Sequence, residues 1–341
     1  MSRPASGVSV RIERTTRASR AGLVVAALAL PALVTLPRWG DPSTMRILVE
    51  FIALLVLAQM WNLLAGYAGL VSIGQQAYVG LGGYALVVLA DDLGVNPFAA
   101  VPLAGLVAAV LALPTAALVF RFQGGYFAVG TWAIAEVYRL LIANTTALGR
   151  GSGRTLKAVF PLARESREIT TYLLALAIGV AALAAVYAFL RSRYGLGLMA
   201  IRDSEPGSEA LGIDVFRTKL GLYLGVAFGT GTTGALIYLN LLRISPDAGF
   251  SINWTAYTIF IVVIGGIGSM EGPLIGTALF FVTRELLSDF GAWYMILLGA
   301  LAVGVMAVYP RGLWGLVADR WDVRFFPVQR RVALDRPARD R

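Results

Sequence analysis

The sequence predicts an all-α polytopic membrane protein with about ten transmembrane helices, Gly-rich interrupted segments and cytosolic N- and C-termini. Of its 341 residues, 57% are hydrophobic and only 14% are charged, and the mean hydropathy is +0.72. A soluble domain carries about a quarter charged residues, so most of this surface is expected to face lipid. The two ends of the chain together hold +8 of the net charge of +9, which leaves the long middle of the sequence nearly neutral.

A spanning helix needs roughly 20 mostly apolar residues, and the chain offers a series of such runs. Two of them, 66–90 and 254–290, are Gly-rich in the middle. We interpret the first as a partly unwound beginning followed by a helix, and the second as two spans joined by a tight turn near Ser269–Pro273. In chain order the predicted spans are 21–37, 47–65, 66–90, 97–120, 126–144, 169–190, 220–242, the two within 254–290, and 291–309.

The charge distribution divides the chain into a basic tail (1–20), a transmembrane domain (21–310) and a second basic tail (311–341). Basic residues that flank apolar spans stay in the cytosol, so we expect both tails there and no nucleic-acid partner. Alternation from the first tail also places 191–219 inside. It places 145–168 outside, although that loop holds five basic and two acidic residues. Either the loop is an exception or one predicted span is wrong.

The absence of Cys and His excludes disulfides, thiol chemistry, Cys/His zinc sites and His-based catalysis. The run GRGSGRT at 149–155 lacks the Lys and the leading Gly of a phosphate-binding loop. We therefore expect no metal site, no cofactor, no catalytic residue and no enzymatic activity. If ATP drives this protein, another subunit hydrolyses it.

Small residues spaced four apart allow helix backbones to approach closely in a membrane. This spacing favours helix packing over a pore-lining role, which is the less favoured alternative. Two runs of glycines have it: Gly221, Gly225 and Gly229 in one, and Gly268, Gly272 and Gly276 in the other.

The segment 191–219 is the one long polar insertion between ends that face the cytosol. Ser204 can cap a short helix, Pro206 is allowed in its first turn, and Gly212 supplies a stop. The pattern fits a charged helix that docks on a partner beneath the membrane. An ordinary solvated loop fits the composition equally well.

Polar residues inside the spans are the other indication of function. Glu136 and Arg139 are three residues apart and share a helix face, where they either serve transport or neutralise each other. Unwound backbone at membrane depth is tolerated only when it is buried in protein or lines a cavity. We therefore predict a translocation path along the first Gly-rich break, formed with this pair by Asn62, Gly66, Gly69, Ser72, Gln75 and Gln76.

Five blocks of sequence, in a fixed order between 62 and 315, carry a family resemblance. They are NLLAGYAGLVSIGQQAYVGLGGY (62–84), GGYFAVGTWAIAEVYRLLIAN (124–144), AIRDSEPGSEALGIDVFRTKL (200–220), GGIGSMEGPLIGTAL (265–279) and YPRGLWG (309–315). In combination they resemble the LivM-type membrane permeases of branched-chain amino-acid ABC importers. The chain departs from the family where Gln75–Gln76 replace a frequent His–small pair. It departs again where Pro206–Gly207 interrupt a run that is usually alanine.

The resemblance implies a permease subunit in the cell (inner) membrane that imports branched-chain amino acids or a related small polar solute. It implies a second homologous permease subunit, two cytosolic ATPase subunits and a periplasmic or extracellular solute-binding protein as partners. It also implies that the cytosolic insertion contacts the ATPase. The residues implied for that contact are Arg202, Asp203, Glu205, Glu209 and Gly212.

Two other functions stay open on the residues alone. An ion-coupled secondary transporter would use Glu136 and Arg139 as its relay and would work without ATPase subunits. A structural or signalling membrane protein would show no solute flux even with every candidate partner present.

Overall fold

The computed structural model describes residues 9–13, 17–287, 293–309, 311–321, 325–326 and 331–335. Large parts of the two predicted tails, and residues 291–292 of the last predicted span, lie outside the described residues. The described helices are α1 (Arg17–Thr35), α2 (Pro42–Asn62), α3 (Gln76–Val87), α4 (Pro97–Val119), α5 (Gly125–Asn144), α6 (Arg164–Arg191), α7 (Arg193–Asp203), α8 (Glu205–Ala210), α9 (Val215–Leu241), α10 (Pro246–Gly249), α11 (Ile252–Gly265), α12 (Glu271–Leu287), α13 (Trp293–Val308) and α14 (Gly312–Trp321). The described strands are β1 (Ser9–Glu13), β2 (Arg154–Thr155), β3 (Arg243–Ile244) and β4 (Arg331–Asp335), and they pair antiparallel as β1 with β4 and β2 with β3.

Seven helical segments within the described residues are long and apolar enough to cross a membrane. The all-α, polytopic fold class is thereby confirmed. The other three predicted spans are also helical but shorter, and they correspond to α1, to α3 with the π-helical turn Val88–Asp92, and to α12. The seven segments are Pro42–Tyr67, Pro97–Val119, Gly125–Asn144, Arg164–Arg191, Val215–Leu241, Pro246–Gly265 and Ile296–Trp321.

Both predicted helix breaks are present. After α2 and a π-helical turn (Leu63–Tyr67), residues 68–75 contain no regular helix until α3 begins at Gln76. In the second half, α11 ends at Gly265 and α12 begins at Glu271, so the predicted tight turn lies two to three residues earlier than expected. Gly266 and Gly268 have positive φ angles of 131° and 75°, which is why this turn requires glycine.

The connections between helices fall on two opposite sides of the molecule. On one side, pairing of β1 with β4 joins the two ends of the chain, and Gly312 of α14 packs against Gly266 between α11 and α12. The segment α7–α8 lies on the same side. On the other side, the loop before α6 pairs through β2 with the strand β3 that follows α9. The described strands of the two chain ends therefore lie together on the side of α7–α8, and β2 of the loop 145–168 lies on the other side.

The core of the bundle is formed by α2, α3 and α9. Leu57, Val79 and Leu236, one from each helix, are fully buried. The outer helices α5, α6 and α13 expose large apolar side chains instead, for example Trp132 and Val303, which are 49% and 70% exposed. Apolar residues exposed in such numbers indicate a surface that meets lipid or another membrane subunit.

Candidate functional site

The first helix break is held open by hydrogen bonds from neighbouring helices. Gly69 adopts φ 71°, a left-handed conformation that glycine tolerates best, and it turns the chain out of the helix. Beyond it, the indole N–H of Trp61 donates to the Ser72 carbonyl at 2.8 Å, and the Ile73 amide donates to the Thr131 hydroxyl at 3.1 Å. The irregular backbone therefore has partners inside the protein, as membrane depth requires.

The two helix breaks contact each other directly. The Asn62 side-chain oxygen accepts from the Gly268 amide, and its nitrogen donates to the Ser269 carbonyl, each at 2.8 Å. One turn earlier on α2, the Gln59 amide donates to the Met270 carbonyl at 2.7 Å. Asn62 is fully buried, so a single side chain satisfies a donor and an acceptor of the second break without water.

Gly66 allows this contact because it has no side chain. A Cβ at this position would lie 2.5 Å from the Gly268 amide nitrogen, which is too close for two non-bonded atoms. The contact between the two breaks therefore depends on the absence of a side chain at Gly66 and on the hydrogen bonds of Asn62, one turn earlier.

The two glutamines predicted to line the path are buried between helices. Gln75 donates to the Thr230 hydroxyl at 2.9 Å, and the Gln76 side-chain oxygen accepts from the Thr255 hydroxyl. Ser72 is also buried, and its hydroxyl accepts from the Gly74 amide at 3.2 Å. The contacts of Gln75 and Gln76 link α3 to α9 and α11, so in this conformation the two glutamine side chains face protein rather than an open channel.

A cleft of about 820 Å³ lies below the first break, on the side that carries the chain ends. Its walls are residues 68–71, the α4–α5 turn at 120–125 and residues 201–209 with Lys219. Among the described residues that were predicted to form the path, Gly69 alone lines this cleft. Both the first break and the polar insertion 191–219 contribute residues to its walls.

The polar insertion forms the capped helix that the sequence predicted. The Ser204 hydroxyl accepts from the Gly207 amide at 3.2 Å, α8 runs from Glu205 to Ala210, and Gly212 adopts φ 81° just beyond it. An ion pair joins Glu205 to Lys219 at the start of α9 and fixes α8 against the bundle. The outer surface of α8 stays open, because Glu209 and Gly212 are exposed.

The five residues implied for an ATPase contact therefore differ in what they touch. Asp203, Glu209 and Gly212 face outward, whereas Glu205 bonds Lys219. Arg202 reaches inward, and its guanidinium donates to the Gly66 carbonyl at 3.0 Å. This inward contact was not predicted, because 136 residues separate the partners.

Glu136 and Arg139 do pair on one face of α5. Arg139 donates to both carboxylate oxygens of Glu136 and also to Asp247 at 2.7 Å. Asp247 was not predicted as a partner, because it lies 108 residues away on α10, where the Ser245 side chain caps the helix. The Glu136 and Asp247 side chains are 47% and 81% exposed, so the cluster lies on a surface that this chain does not cover.

The predicted glycine faces meet different surroundings. Gly229 packs on Met60, and Gly272 and Gly276 pack on the backbone of Gly266 and Ile261. Gly268 lies in the turn before α12. A Cβ at Gly221 or Gly225 would meet nothing within 4 Å in this chain. Among the residues that the structure describes, then, the face predicted on α9 is in contact at its Gly229 end and open at Gly221 and Gly225.

A close helix crossing in the core was not predicted. Gly82 of α3 packs on the backbone of Gly231 of α9, and Gly105 of α4 meets Phe228 and Thr232 on the same helix. The signal for it was present as Gly80, Gly82 and Gly83 in one short run, but this spacing differs from the four-residue pattern that is typical of packed helices in membranes.

The basic loop 145–168 is a folded element. Arg154 donates to both carboxylate oxygens of Asp92, at 2.6 and 2.7 Å, and this bidentate pair holds the pKa of Asp92 below its usual value. Asp91 accepts from the Lys157 and Ala158 amides. Two of the acidic groups that balance the loop thus come from residues 91–92, which directly follow the third predicted span.

Comparison with known proteins gives a consistent result. A family described as branched-chain amino acid transport system / permease component matches residues 43–306. The high-affinity branched-chain amino acid transport system permease proteins LivM of Salmonella typhimurium and Escherichia coli K12 are 29% and 28% identical to this chain. The alignments cover 85% and 80% of the chain and 73% and 76% of those proteins. A probable branched-chain amino acid transport permease protein LivM of Methanocaldococcus jannaschii is 26% identical over 54% of the chain and 53% of that protein.

No solved structure is significantly similar to this chain. The family match and the long apolar helices make it a multi-pass protein of the cell (inner) membrane. Because the match extends over most of its length, the chain belongs to the permease-component family of branched-chain amino acid transport systems.

Proposed function

We propose that this chain is the permease subunit through which an ATP-driven importer moves branched-chain amino acids, or a related small polar solute, into the cell. The observation that carries the proposal is the junction of two Gly-rich helix breaks, one from each half of the chain, beside the α7–α8 segment. Interrupted helices in corresponding positions of two halves mark the substrate path of many transporters. The names of the similar LivM proteins support the choice of solute.

The proposed membrane topology has ten spans with both chain ends in the cytosol. With the seven long helices, α1, α3 and α12 would make up these ten spans, which alternate between the two sides of the membrane. In this topology both basic tails and 191–219 share one side, and the positive-inside rule favours the cytosol for that side. The loop 145–168 is then external, with part of its charge neutralised by Asp92.

The proposed partners are those of an ABC importer. A second homologous permease completes the path, two cytosolic ATPases hydrolyse ATP, and a periplasmic or extracellular binding protein delivers the solute. The outward side chains of Asp203 and Glu209 are the part of the α7–α8 segment available to an ATPase. The chain itself is proposed to be a transport subunit without enzymatic activity.

The proposed path follows the first break and opens alternately to the two sides. Gly66 and Gly69 belong to it because their backbone is irregular at membrane depth, and Asn62 belongs to it because its side chain bonds the second break. A movement of the breaks would release the buried contacts of Gln75 and Gln76 and expose these amides to the solute. A zwitterion with an apolar side chain suits polar but uncharged groups of this kind, since a path must bind its solute weakly enough to release it.

Co-purification from the native membrane tests the partners. The solubilised protein is captured in mild detergent, and accompanying proteins are identified by mass spectrometry. We expect a P-loop ATPase and a second permease, with the ATPase lost from a Glu209→Arg variant. Glu165→Arg, the same charge reversal on the opposite side of the protein, is the matched control and should keep the ATPase. Repeated recovery of the protein alone would contradict the proposal.

Transport in liposomes tests the energy source. The recovered complex is reconstituted with the binding protein, and leucine uptake is measured with ATP inside or outside the vesicles. Uptake that requires ATP on the side of α7–α8 supports the proposal. Uptake by the permease alone along a proton or sodium gradient would favour the ion-coupled alternative.

A further inference from the structure

The guanidinium of Arg202 lies where three segments of the chain meet. One nitrogen donates to the Gly66 carbonyl in the π-helical turn that ends α2. Two others donate to the Asp203 carboxylate at 3.0 and 3.1 Å, which orients the group. A cation is favoured at this position, because carbonyls at a helix C-terminus lack partners within the helix and carry partial negative charge.

The surroundings of Arg202 are shaped to admit its side chain. A Cβ at Gly69 would lie 3.2 Å from the Arg202 Cγ, and a Cβ at Gly268 would lie 3.9 Å from its guanidinium. Glycine from each helix break therefore borders the same arginine. The contact is intramolecular and complete without any other subunit.

From Gly66 the contact continues to the second break. Gly66 packs on Gly268, and Asn62, one turn before Gly66, bonds the Gly268 amide and the Ser269 carbonyl. A displacement of α7 that moves Arg202 thus acts on both breaks through hydrogen bonds and direct backbone contact. Arg202 is thus a direct hydrogen-bonded link between α7 and the first break.

We propose that Arg202 is a positioning residue that transmits movement of the α7–α8 segment to the paired helix breaks, instead of contacting the ATPase. The inference rests on the proposed function, since it presumes that an ATPase moves this segment. Asp203 and Glu209 remain outward for the ATPase itself, whereas Arg202 is committed to Gly66. Loss of Arg202 should leave the complex assembled and separate ATP hydrolysis from transport.

The test uses the whole importer in liposomes and measures leucine transported per ATP hydrolysed. In Arg202→Ala we expect the ATPase to stay bound and this ratio to fall about tenfold, the factor that corresponds to losing one hydrogen bond to a charged group. Arg202→Lys keeps the charge but not the forked donors, so it should recover part of the ratio. Arg217→Ala, near the start of α9, is the control. It removes a cation that is 86% exposed and paired with Asp214, and it should leave the ratio unchanged.

Two results would overturn the inference. Loss of the ATPase from Arg202→Ala would make Arg202 a docking residue, and an unchanged ratio would make it dispensable. Failure of the wild-type importer to transport leucine with ATP is a different outcome, because it would contradict the proposed function before any variant is compared.

A cross-link provides an independent test, since the chain has no Cys. An ideal Cβ at Gly69 lies 3.9 Å from the Arg202 Cβ, within the range that a disulfide spans. Gly69→Cys/Arg202→Cys should behave like Arg202→Ala when reduced and should regain coupling when oxidised, because the bond restores the link. Gly69→Cys alone controls for the strained φ of that residue. A ratio that stays low, or transport that stops altogether, on oxidation would show that the two segments do not move together.

Discussion

Replacement of Asn62 by Ala tests whether the two helix breaks stabilise each other. The side chain is fully buried and makes two hydrogen bonds of 2.8 Å to backbone groups of the second break. Alanine leaves the Gly268 amide and the Ser269 carbonyl without these partners. An unpaired buried group costs about 1–3 kcal/mol, and interhelical hydrogen bonds in membranes fall near the lower end, so we expect a loss of roughly 2–3 kcal/mol.

The assay is thermal unfolding of the purified protein in one detergent at one heating rate, because such unfolding is often irreversible. For a chain of this size the loss corresponds to a decrease of Tm by roughly 3–4 °C. Asn144→Ala is the matched control, because its amide makes an exposed bond to the Leu140 carbonyl within α5. A Tm for Asn62→Ala within 1 °C of the control, well below the decrease that two lost buried bonds require, would refute the reasoning.

Three further predictions concern other parts of the chain. Gly82→Ala should strongly reduce the yield of folded protein measured by size-exclusion chromatography, because the added Cβ collides with a backbone carbonyl of α9. Gly221→Ala is the control: its Cβ meets nothing within 4 Å, so this variant should be neutral or slightly stabilising. Asp92→Asn should destabilise the protein near neutral pH because it breaks the ion pair with Arg154. Since the folded pKa of Asp92 is lowered, this stability is lost as the pH falls through the folded pKa, so the Tm values of wild type and variant should converge below the usual carboxyl pKa of 3.8. A difference in Tm that stays constant with pH would contradict the assignment. Glu136→Gln should retain ATP-driven uptake, with at most a partial loss, because the exposed cluster on α5 is not needed as a proton relay; complete loss with normal complex assembly would favour the ion-coupled alternative.

Sequence reasoning recovered the features that depend on local composition. Apolar runs predicted the helices, and the Gly-rich stretches within 66–90 and 254–290 predicted that helices break there, although the second turn lies earlier than the expected Ser269–Pro273. The same holds for the cap of α8, where Ser204, Pro206 and Gly212 occupy the expected places. The number of full-length spans was harder to predict, since helices inside a bundle can be shorter than the roughly 20 apolar residues by which hydropathy identifies a span.

The contacts that assemble the candidate site were not predictable in this way. Asn62 and Gly268 are 206 residues apart, and no periodicity in either segment identifies the other as its partner. The contact of Asp247 with Arg139 was not predicted for the same reason, because the two residues are far apart in the sequence. The face of α9 shows the opposite limit: four-residue spacing identified Gly221 and Gly225 as a packing surface, but spacing does not say whether the partner helix belongs to the same chain.

The pairing of β1 with β4 has a consequence for how the chain is synthesised. Residues 9–13 leave the ribosome first, yet their partner residues 331–335 appear only after every membrane crossing has been made. The two strands can meet only when an even number of crossings separates them. A chain that fails to insert one helix leaves its ends on opposite faces of the bilayer, so this small sheet cannot form after such an error.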